Sequence, residues 1–198
     1  MNARRAASAA GLTVGAFAIG LLSSTKAGRR ADVSLFRAVN RGSGTAADRF
    51  FASVTELGSL YASGAAAATL ALLGERRAAQ RGIFAAVSMW AVGQATKQTF
   101  GRPRPYDAYP EDEFRLLIAR PQGTSWPSSH PAVLMAFLTA ASRELELDAP
   151  ARRALLSIPF AVGVSRSYLG VHYPSDVVGG LVLGRAIGLM MSPDPSEW

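Results

Sequence analysis

The chain has 198 residues, with 21 Lys and Arg against 14 Asp and Glu, and 18% of its residues are charged, where soluble domains carry about 25%. Its high apolar content excludes intrinsic disorder, which requires low hydrophobicity. Because the chain contains no cysteine, a disulfide framework, a thiolate zinc site and a cysteine nucleophile are excluded as well.

The net charge of +7 comes from basic residues that are scattered along the chain. A nucleic-acid surface is typically a basic stripe on one face, so this distribution disfavours nucleic acid as a partner. Arginines beside apolar segments are instead typical of membrane proteins, where they contact anionic lipid headgroups. We therefore expect a membrane protein with no nucleic-acid partner.

Six segments with few charges are predicted to be helices that cross a bilayer, for which about 20 mostly apolar residues are needed. The first has no charge, the next two contain one each, and the last three are short or interrupted. The segments are 6–24, 50–74, 82–100, 128–142, 154–165 and 174–191. They predict an all-α, six-transmembrane-helix bundle that forms one integral-membrane domain over 1–198, with a motif-bearing core at about 82–192.

The first segment has a second interpretation, as a secretory signal sequence. Met1 to Arg5 is positively charged, and Thr25-Lys26-Ala27 loosely resembles a cleavage site. The uncharged run is long for the apolar part of a signal, and cleavage would leave an odd number of helices. A retained first helix at about 6–24 is the favoured interpretation.

Two connections and one helix have distinctive compositions. Residues 32–39 are predicted to form a short amphipathic helix on the membrane surface. The connection 101–127 contains five prolines, and long loops of this kind often carry binding sites. In the last helix glycine recurs every four residues and forms a face without side chains, where another helix can approach closely. Packing within the chain is the favoured interpretation of this face, with a homodimer interface as the alternative. That stripe consists of Gly180, Gly184 and Gly188.

Polar and ionisable residues are concentrated at the ends of the third to sixth segments. If the helices alternate in direction, these ends all lie on one face of the membrane. Ionisable residues inside a membrane protein are functional by default, and both histidines of the chain belong to this set. Its members are Lys97, Arg104, Ser128, Ser129, His130, Arg166, His172 and Asp176.

Three cations of this set are suited to a tetrahedral oxyanion such as phosphate. Lys97, Arg104 and Arg166 can neutralise its oxygens, arginine in a bidentate manner. A helix that begins at about Ser129 would direct free backbone N–H groups toward the same anion. Glycine and proline after the third segment predict that Arg104 reaches the site from a loop.

The two histidines indicate what chemistry this site performs. Pro174 predicts that the sixth helix begins there, which places Asp176 in its first turn. Its carboxylate can then bind one nitrogen of His172 and leave the other as a nucleophile toward phosphorus. His130 can protonate the leaving group and then activate water. With three cations present no metal or cofactor is needed; a two-histidine metal site is the competing interpretation, but it would be electrostatically poor.

These residues form three motifs that resemble the type 2 phosphatidic acid phosphatase superfamily, which includes bacterial acid phosphatases and vanadium-dependent haloperoxidases. Lysine, six residues and Arg-Pro are present at Lys97 and Arg104-Pro105. The second motif, Pro-Ser-Gly-His, matches 127–130 except for Ser129 at the glycine position. The third, Ser-Arg, five residues, His, three residues and Asp, matches 165–176 in full.

The resemblance implies the helical catalytic core of that superfamily and carries its roles to the matching positions. The implied roles are phosphate ligands at Lys97, Arg104, Ser128 and Arg166, acid/base at His130, nucleophile at His172, and orientation of the nucleophile by Asp176. If position 129 requires a positive φ, Ser129 would be strained. If only its N–H is used, serine is tolerated and can add a hydroxyl donor.

The sequence therefore predicts a metal-independent membrane phosphatase that hydrolyses a lipid phosphate monoester or diphosphate through a phosphohistidine. Candidate substrates are polyprenyl phosphates, diphosphates and phosphosugars, phosphatidylglycerophosphate and phosphatidate. The loop 107–124, with its acidic residues 111–113, is a candidate headgroup gate. The alternatives are a non-enzymatic anion- or lipid-binding membrane protein or transporter, and a vanadium haloperoxidase, which the transmembrane segments and short length disfavour.

The side of the membrane that carries the site follows from the number of helices. With six helices and a cytoplasmic N-terminus the site faces outward, and the inner connections 75–81 and 143–153 then carry three arginines each. Lys26, Arg29 and Arg30 after the first helix favour the opposite orientation. We expect a multi-pass protein of the cell membrane with its active site on the outer, periplasmic or extracellular face.

Overall fold

The computed structural model describes residues 3–110 and 113–192, which form ten α-helices and no β-strand. The predicted all-α class is confirmed for this part of the chain. The helices are α1 (Ala3–Ser24), α2 (Lys26–Asn40), α3 (Thr45–Glu56), α4 (Leu60–Leu72), α5 (Arg76–Phe100), α6 (Pro105–Ala108), α7 (Ser129–Glu144), α8 (Ala149–Leu155), α9 (Ile158–Tyr168) and α10 (Pro174–Met190).

The helices do not correspond one to one with the six predicted segments. The second segment is divided into α3 and α4, because Ser59 starts a new helix by accepting a hydrogen bond from the Ala62 N–H at 3.0 Å. The helices α2, α6 and most of α8 lie outside the predicted segments. Among the described residues, α1 is the one helix that is by itself long and apolar enough to cross a membrane.

The long helices α1, α5, α7 and α10 run between two opposite ends of the bundle. We call one the histidine end, because it carries His130 and His172. The other is the arginine end, where Arg5 of α1 donates to the Ser192 carbonyl at 3.1 Å, just beyond α10. Arg143 lies in the last turn of α7 at the same end. The four ends that sequence analysis placed on one face therefore meet at the histidine end.

The glycine stripe of α10 packs against α7 within the same chain. A Cβ at Gly180 would lie 2.5 Å from the Ser128 carbonyl oxygen, and one at Gly184 would overlap the carbonyl oxygen of Ala132. Gly188 meets the next turn of α7 in the same way. The homodimer interpretation of Gly180, Gly184 and Gly188 is wrong, because α7 fills the face that a second copy would need.

The predicted amphipathic helix is present as α2 and is longer than expected. Thr25 caps its start by accepting a hydrogen bond from the Gly28 N–H at 3.1 Å. Asp32, Phe36 and Asn40 recur every four residues and are buried, and the Phe36 ring contacts that of Tyr173 with 5.6 Å between centroids. The helix therefore lies across the histidine end with a polar as well as an apolar anchor.

Candidate active site

The predicted site residues are brought together at the histidine end of the bundle. Lys97 lies in the last turn of α5, and Arg166 in the last turn of α9. The backbone N–H of Ser128, the residue before α7, donates to the Asp176 carbonyl of α10 at 3.0 Å. The charges of three cations act on both histidines; they are those of Lys97, Arg104 and Arg166.

The contacts of His172 fix the chemical character of its two nitrogens. Arg104 Nη1 lies 3.1 Å from His172 Nε2. Because guanidinium can only donate, Nε2 accepts and the imidazole proton resides on Nδ1. Nδ1 is 3.6 Å from Asp176 Oδ2, so this carboxylate faces the protonated nitrogen from just beyond hydrogen-bond distance. The unprotonated nitrogen is therefore the one directed toward Arg104.

Asp176 is held by two residues that sequence analysis did not identify as part of the site. Ser125 Oγ donates to Asp176 Oδ2 at 2.5 Å and lies 3.4 Å from His172 Nδ1. Arg102 Nη1 donates to Asp176 Oδ1 at 2.7 Å. Arg102 stands two residues before the motif arginine, and this second charge in the same short turn is the signal that the sequence offers. Ser125 offers no such signal, because only the folded chain places it beside the carboxylate.

Arg102 also joins the site to helix α2. Its Nη2 donates to Asp32 Oδ2 at 2.6 Å, and Asp32 in turn accepts from the backbone N–H of Ser175 at 2.9 Å. Burial by itself would lower the pKa of Arg102, but the carboxylates of Asp176 and Asp32 together raise it. Arg102 therefore stays charged between two buried acids, one on α2 and one on α10.

Backbone carbonyls hold two of the three cations in place. Arg104 donates from Nε to the Gly123 carbonyl at 2.8 Å and from Nη2 to that of Gln122 at 3.2 Å. Lys97 Nζ donates to the Thr124 carbonyl at 2.9 Å. Arg104 is buried and has an extended backbone just before the short helix α6, so the prediction that it enters the site from a loop is confirmed. The segment 122–124 thus fixes cations that come from two different elements.

Several buried polar atoms near the cations have no hydrogen-bond partner within the described residues. They include Ser128 Oγ, Ser129 Oγ and Arg166 Nε. Arg166 is otherwise held by Nη1, which donates to Thr55 Oγ1 at 2.9 Å. Buried donors are rarely left unpaired in native proteins. A tetrahedral oxyanion between these residues would supply the missing acceptors.

The structure distinguishes between the two interpretations of Ser129. Ser129 is the first residue of α7 and has a helical backbone, and it is not among the described residues with positive φ. The positive-φ interpretation is therefore wrong, and serine is unstrained there. A Cβ added to Gly93 of α5 would lie 3.8 Å from Ser129 Oγ, so this glycine faces the serine and leaves it room.

The environment of His172 favours its neutral form. The ring is buried between Arg104 and Ser125. Burial lowers the pKa of His172 well below its usual range, and the charges of the neighbouring cations lower it further. A neutral imidazole, with one unprotonated nitrogen, is what a nucleophilic histidine requires.

The connection predicted as a headgroup gate is attached at several points. Tyr106 Oη donates to the Pro121 carbonyl at 2.5 Å, and the Leu117 N–H donates to the Leu169 carbonyl at 3.2 Å. Glu113 forms an ion pair with Arg37 of α2. The other two acidic residues of the predicted gate, 111 and 112, lie outside the described residues.

The sequence model of the PAP2 superfamily matches residues 81–197 of this chain. The chain belongs to the PAP2 superfamily. The matched range contains all eight predicted site residues, and the resemblance predicted from the three motifs is confirmed.

Two curated relatives share this PAP2 region with the chain. A lipid A 1-phosphatase of Rhizobium johnstonii is 29% identical over 109 residues, which cover 54% of this chain and 43% of the relative. An undecaprenyl-diphosphatase of Sulfolobus acidocaldarius is 32% identical over 101 residues, or 50% of this chain and 46% of the relative. The chain therefore spans less than half the length of these relatives.

A solved PAP2 structure resembles the whole described fold. It is the transmembrane PAP2-type phosphatidylglycerolphosphate phosphatase of Bacillus subtilis, with a TM-score of 0.74 and 19% identity over 92% of this chain and 93% of that one. The helical bundle thus has the same fold as that PAP2 structure.

Proposed function

We propose that this PAP2 protein is a membrane phosphatase that hydrolyses a phosphate monoester or diphosphate of a lipid. The observation that carries the proposal is the unprotonated Nε2 of His172, which Arg104 holds among three buried cations, with Arg166 Nε and two serine hydroxyls that lack a hydrogen-bond partner within the described residues. The names of the two curated relatives supply the substrate class, because they refer to phosphates on lipid A and on undecaprenyl.

The first chemical step transfers the phosphoryl group to the enzyme. Phosphate oxygens bind Lys97, Arg104 and Arg166, and Arg104 moves its hydrogen bond from His172 Nε2 to an oxygen. The freed Nε2 attacks phosphorus, and the P–O bond to the leaving group breaks. His130 enters this step as imidazolium, with its charge stabilised by the bound phosphate, and donates its proton to the departing oxygen, which leaves it neutral. The positive charge on the phosphorylated imidazole is compensated by the carboxylate of Asp176 beside Nδ1.

The second step returns the enzyme to its starting state. Neutral His130 now accepts a proton from water, whose oxygen attacks phosphorus. The P–N bond to His172 breaks and inorganic phosphate leaves. The same cations stabilise the charge that develops on the phosphoryl oxygens in both steps, so the reaction balances without a metal.

The exposed apolar surface supports a position within the bilayer. Large apolar side chains face outward on several helices, and Tyr61 and Leu72 of α4 are 92% and 89% exposed. Extensive apolar surface on a protein with a polar interior site is typical of a membrane protein. We propose crossings at α1, α4, α5, α7, α9 and α10. At 1.5 Å per residue α4 spans about 20 Å, so α3 and the α3–α4 turn complete its crossing.

We further propose that the histidine end faces outward and the arginine end faces the cytoplasm, as the positive-inside rule prefers. The cysteine-free sequence allows a direct test with single cysteines. Ala46→Cys lies at the start of α3 near the histidine end, and Glu75→Cys precedes α5 at the arginine end; both positions are exposed. A membrane-impermeant maleimide added to intact cells should label the first variant and not the second; the reverse pattern would contradict the orientation.

The function is tested by phosphate release in detergent from a panel of lipid monophosphates and diphosphates with chelator present. We expect turnover in the wild type and a loss of at least about 10³-fold in His172→Ala, with an acid-labile phosphoenzyme formed by the wild type. A melting temperature similar to that of the wild type controls for folding. Undiminished turnover in His172→Ala would overturn the mechanism, and turnover abolished by the chelator would require a metal.

A further inference from the structure

A groove on the outer surface of the bundle runs along helices α9 and α10. Its volume is about 480 Å³. Pro174 and Arg185 both line it and are eleven residues apart on α10, which corresponds to about 16 Å. This length is close to half of the roughly 30 Å hydrocarbon core of a bilayer. Apolar side chains form most of the wall, among them Met135, Leu156, Phe160, Val164, Val178 and Leu181.

Three arginines gather where the groove reaches the arginine end. Arg185 lines the groove, and the charges of Arg143 and Arg152 lie near enough to act on it and on each other. The contacts of Arg185 and Arg152 are with neutral oxygens: Thr139 Oγ1 at 3.2 Å and the Leu147 carbonyl at 3.3 Å.

The cluster lacks a negative partner within the described part of the chain. None of the three arginines forms an ion pair with a described carboxylate, and Arg143 Nε is buried without a hydrogen-bond partner. Like charges that are held together in this way are stabilised by an anion. The cluster thus has both the charge and an unused donor for a phosphate group.

We propose that the groove and the arginine cluster together bind one anionic phospholipid. Its phosphate would contact Arg143 and Arg185, and one acyl chain would follow the groove between α9 and α10. Basic pockets between transmembrane helices bind anionic headgroups in this manner. The proposal rests on the membrane insertion proposed above but not on the catalytic chemistry, since the histidines lie at the opposite end.

The bound lipid would join helices that carry catalytic groups. Helix α9 holds Arg166 and α10 holds Asp176, and the groove separates their outer surfaces. A lipid that contacts both helices binds the folded protein and not the unfolded chain, so it raises thermal stability. The expected effect is a higher melting temperature in the presence of the lipid.

The test uses the full chain in detergent, with dioleoylphosphatidylglycerol as the probe and dioleoylphosphatidylcholine as the uncharged comparison. The first lipid should raise the melting temperature by several degrees and the second should not. Combined Arg143→Gln and Arg185→Gln changes should abolish the shift. The matched control, Arg76→Gln with Arg77→Gln, removes two exposed arginines from the same end and should keep it.

A second variant tests the groove without changing charge. Val178 is 47% exposed and lines the groove, so Val178→Trp should fill it and remove the shift. Equal shifts with both lipids, a shift retained by the double arginine variant, or a shift reproduced by inorganic phosphate alone would overturn the proposal.

Two active-site variants separate this site from the catalytic one. His172→Ala should be inactive and still show the phosphatidylglycerol shift, which would support the lipid site whether or not the phosphatase mechanism holds. Loss of the shift in Arg104→Ala would instead place the lipid at the histidine end and overturn the proposal.

Discussion

The carboxylate of Asp176 is fully buried and depends on its three hydrogen-bond donors. Ser125 and the Tyr173 N–H bind one oxygen at 2.5 and 2.9 Å, and Arg102 binds the other at 2.7 Å. A buried charge that loses its partner costs several kcal/mol. Arg102 therefore compensates the charge of Asp176 and orients it toward His172, while in the proposed mechanism the motif cations bind the phosphate.

This division of roles predicts that Arg102 acts as a positioning residue. We expect Arg102→Gln to lower kcat by about 100-fold and to change KM by less than about threefold, with a melting temperature lowered by several degrees. Steady-state kinetics and thermal unfolding in detergent check this. Arg30→Gln on the exposed face of α2 is the control and should change neither the kinetic constants nor the melting temperature. A raised KM with unchanged kcat would instead place Arg102 in contact with the substrate.

The two serines before His130 should contribute differently to phosphate binding. The Ser128 hydroxyl is fully buried and has no hydrogen-bond partner among the residues that the structure describes, and a hydrogen bond to a charged group is worth about 1.5–3 kcal/mol. Ser128→Ala should therefore lower kcat/KM by about 10-fold or more. Ser129→Gly should lower it by less than about threefold, because Ser129 adopts a helical backbone and faces Gly93. Equal effects of the two changes would contradict the distinction.

At the scale of elements, the approach of α10 to α7 aligns the two halves of the site. Helix α7 carries His130 and α10 carries Asp176, and Gly184 allows the backbones to meet. Gly184→Ala would drive a Cβ into the Ala132 carbonyl, so we expect it to separate the helices, to lower the melting temperature by several degrees and to reduce activity. Thermal unfolding and phosphate release measure the two effects.

A matched glycine elsewhere controls for helix propensity. Gly64 lies in α4, and a Cβ added there would have no neighbouring atom within 4 Å. Gly64→Ala should leave stability equal or slightly higher, because alanine is favoured over glycine in a helix by about 1 kcal/mol. If both variants behave alike, close packing at Gly184 is not what holds α10 against α7.

Helix α2 contacts the site through a polar residue as well as an apolar one. A surface amphipathic helix normally packs through apolar residues, but here Asp32 is buried against Arg102 and Ser175. The basic residues that follow α1, among them Arg29 and Arg30, are exposed on α2. These charges belong to a helix at the histidine end, and they would lie outside the cell in the orientation proposed above.

For the whole molecule, the buried imidazole of His172 makes stability depend on pH. Its pKa is lowered in the folded state, so below the unfolded value of about 6.5 the unfolded chain binds a proton that the folded protein does not. The contribution of His172 to the free energy of unfolding is fully present above that pH. Below it, the free energy of unfolding decreases by up to about 1.4 kcal/mol per pH unit. The melting temperature should decrease from pH 7.5 to 5.5.

His172→Gln isolates this contribution, because glutamine does not titrate. We expect its melting temperature to decrease less over the same pH interval, even if the variant is less stable at pH 7.5. The comparison uses the change in melting temperature with pH for each protein and not the melting temperature at any one pH. Parallel curves for wild type and variant would show that His172 is not neutral in the folded protein.

The amino-acid sequence was enough to predict the all-helical class, the family and the charged residues of the three motifs. Motif spacing was sufficient for this because helix starts and ends are local events: Pro174 begins α10 and places Asp176 in its first turn, and Ser129 begins α7. Lys97 and Arg104 were likewise predicted to approach the site from a helix end and a loop, where they lie.

Tertiary structure decided what depends on contacts between distant segments. Arg102 and Ser125 reach Asp176 across more than fifty residues of chain, and nothing local distinguishes them from other polar residues. The glycine stripe is compatible in sequence with either a partner helix or a second copy, and only the position of α7 selects the first. Local hydrogen bonding fixes each helix from its own residues, whereas the partner of a buried charge is chosen by the packing of the whole chain.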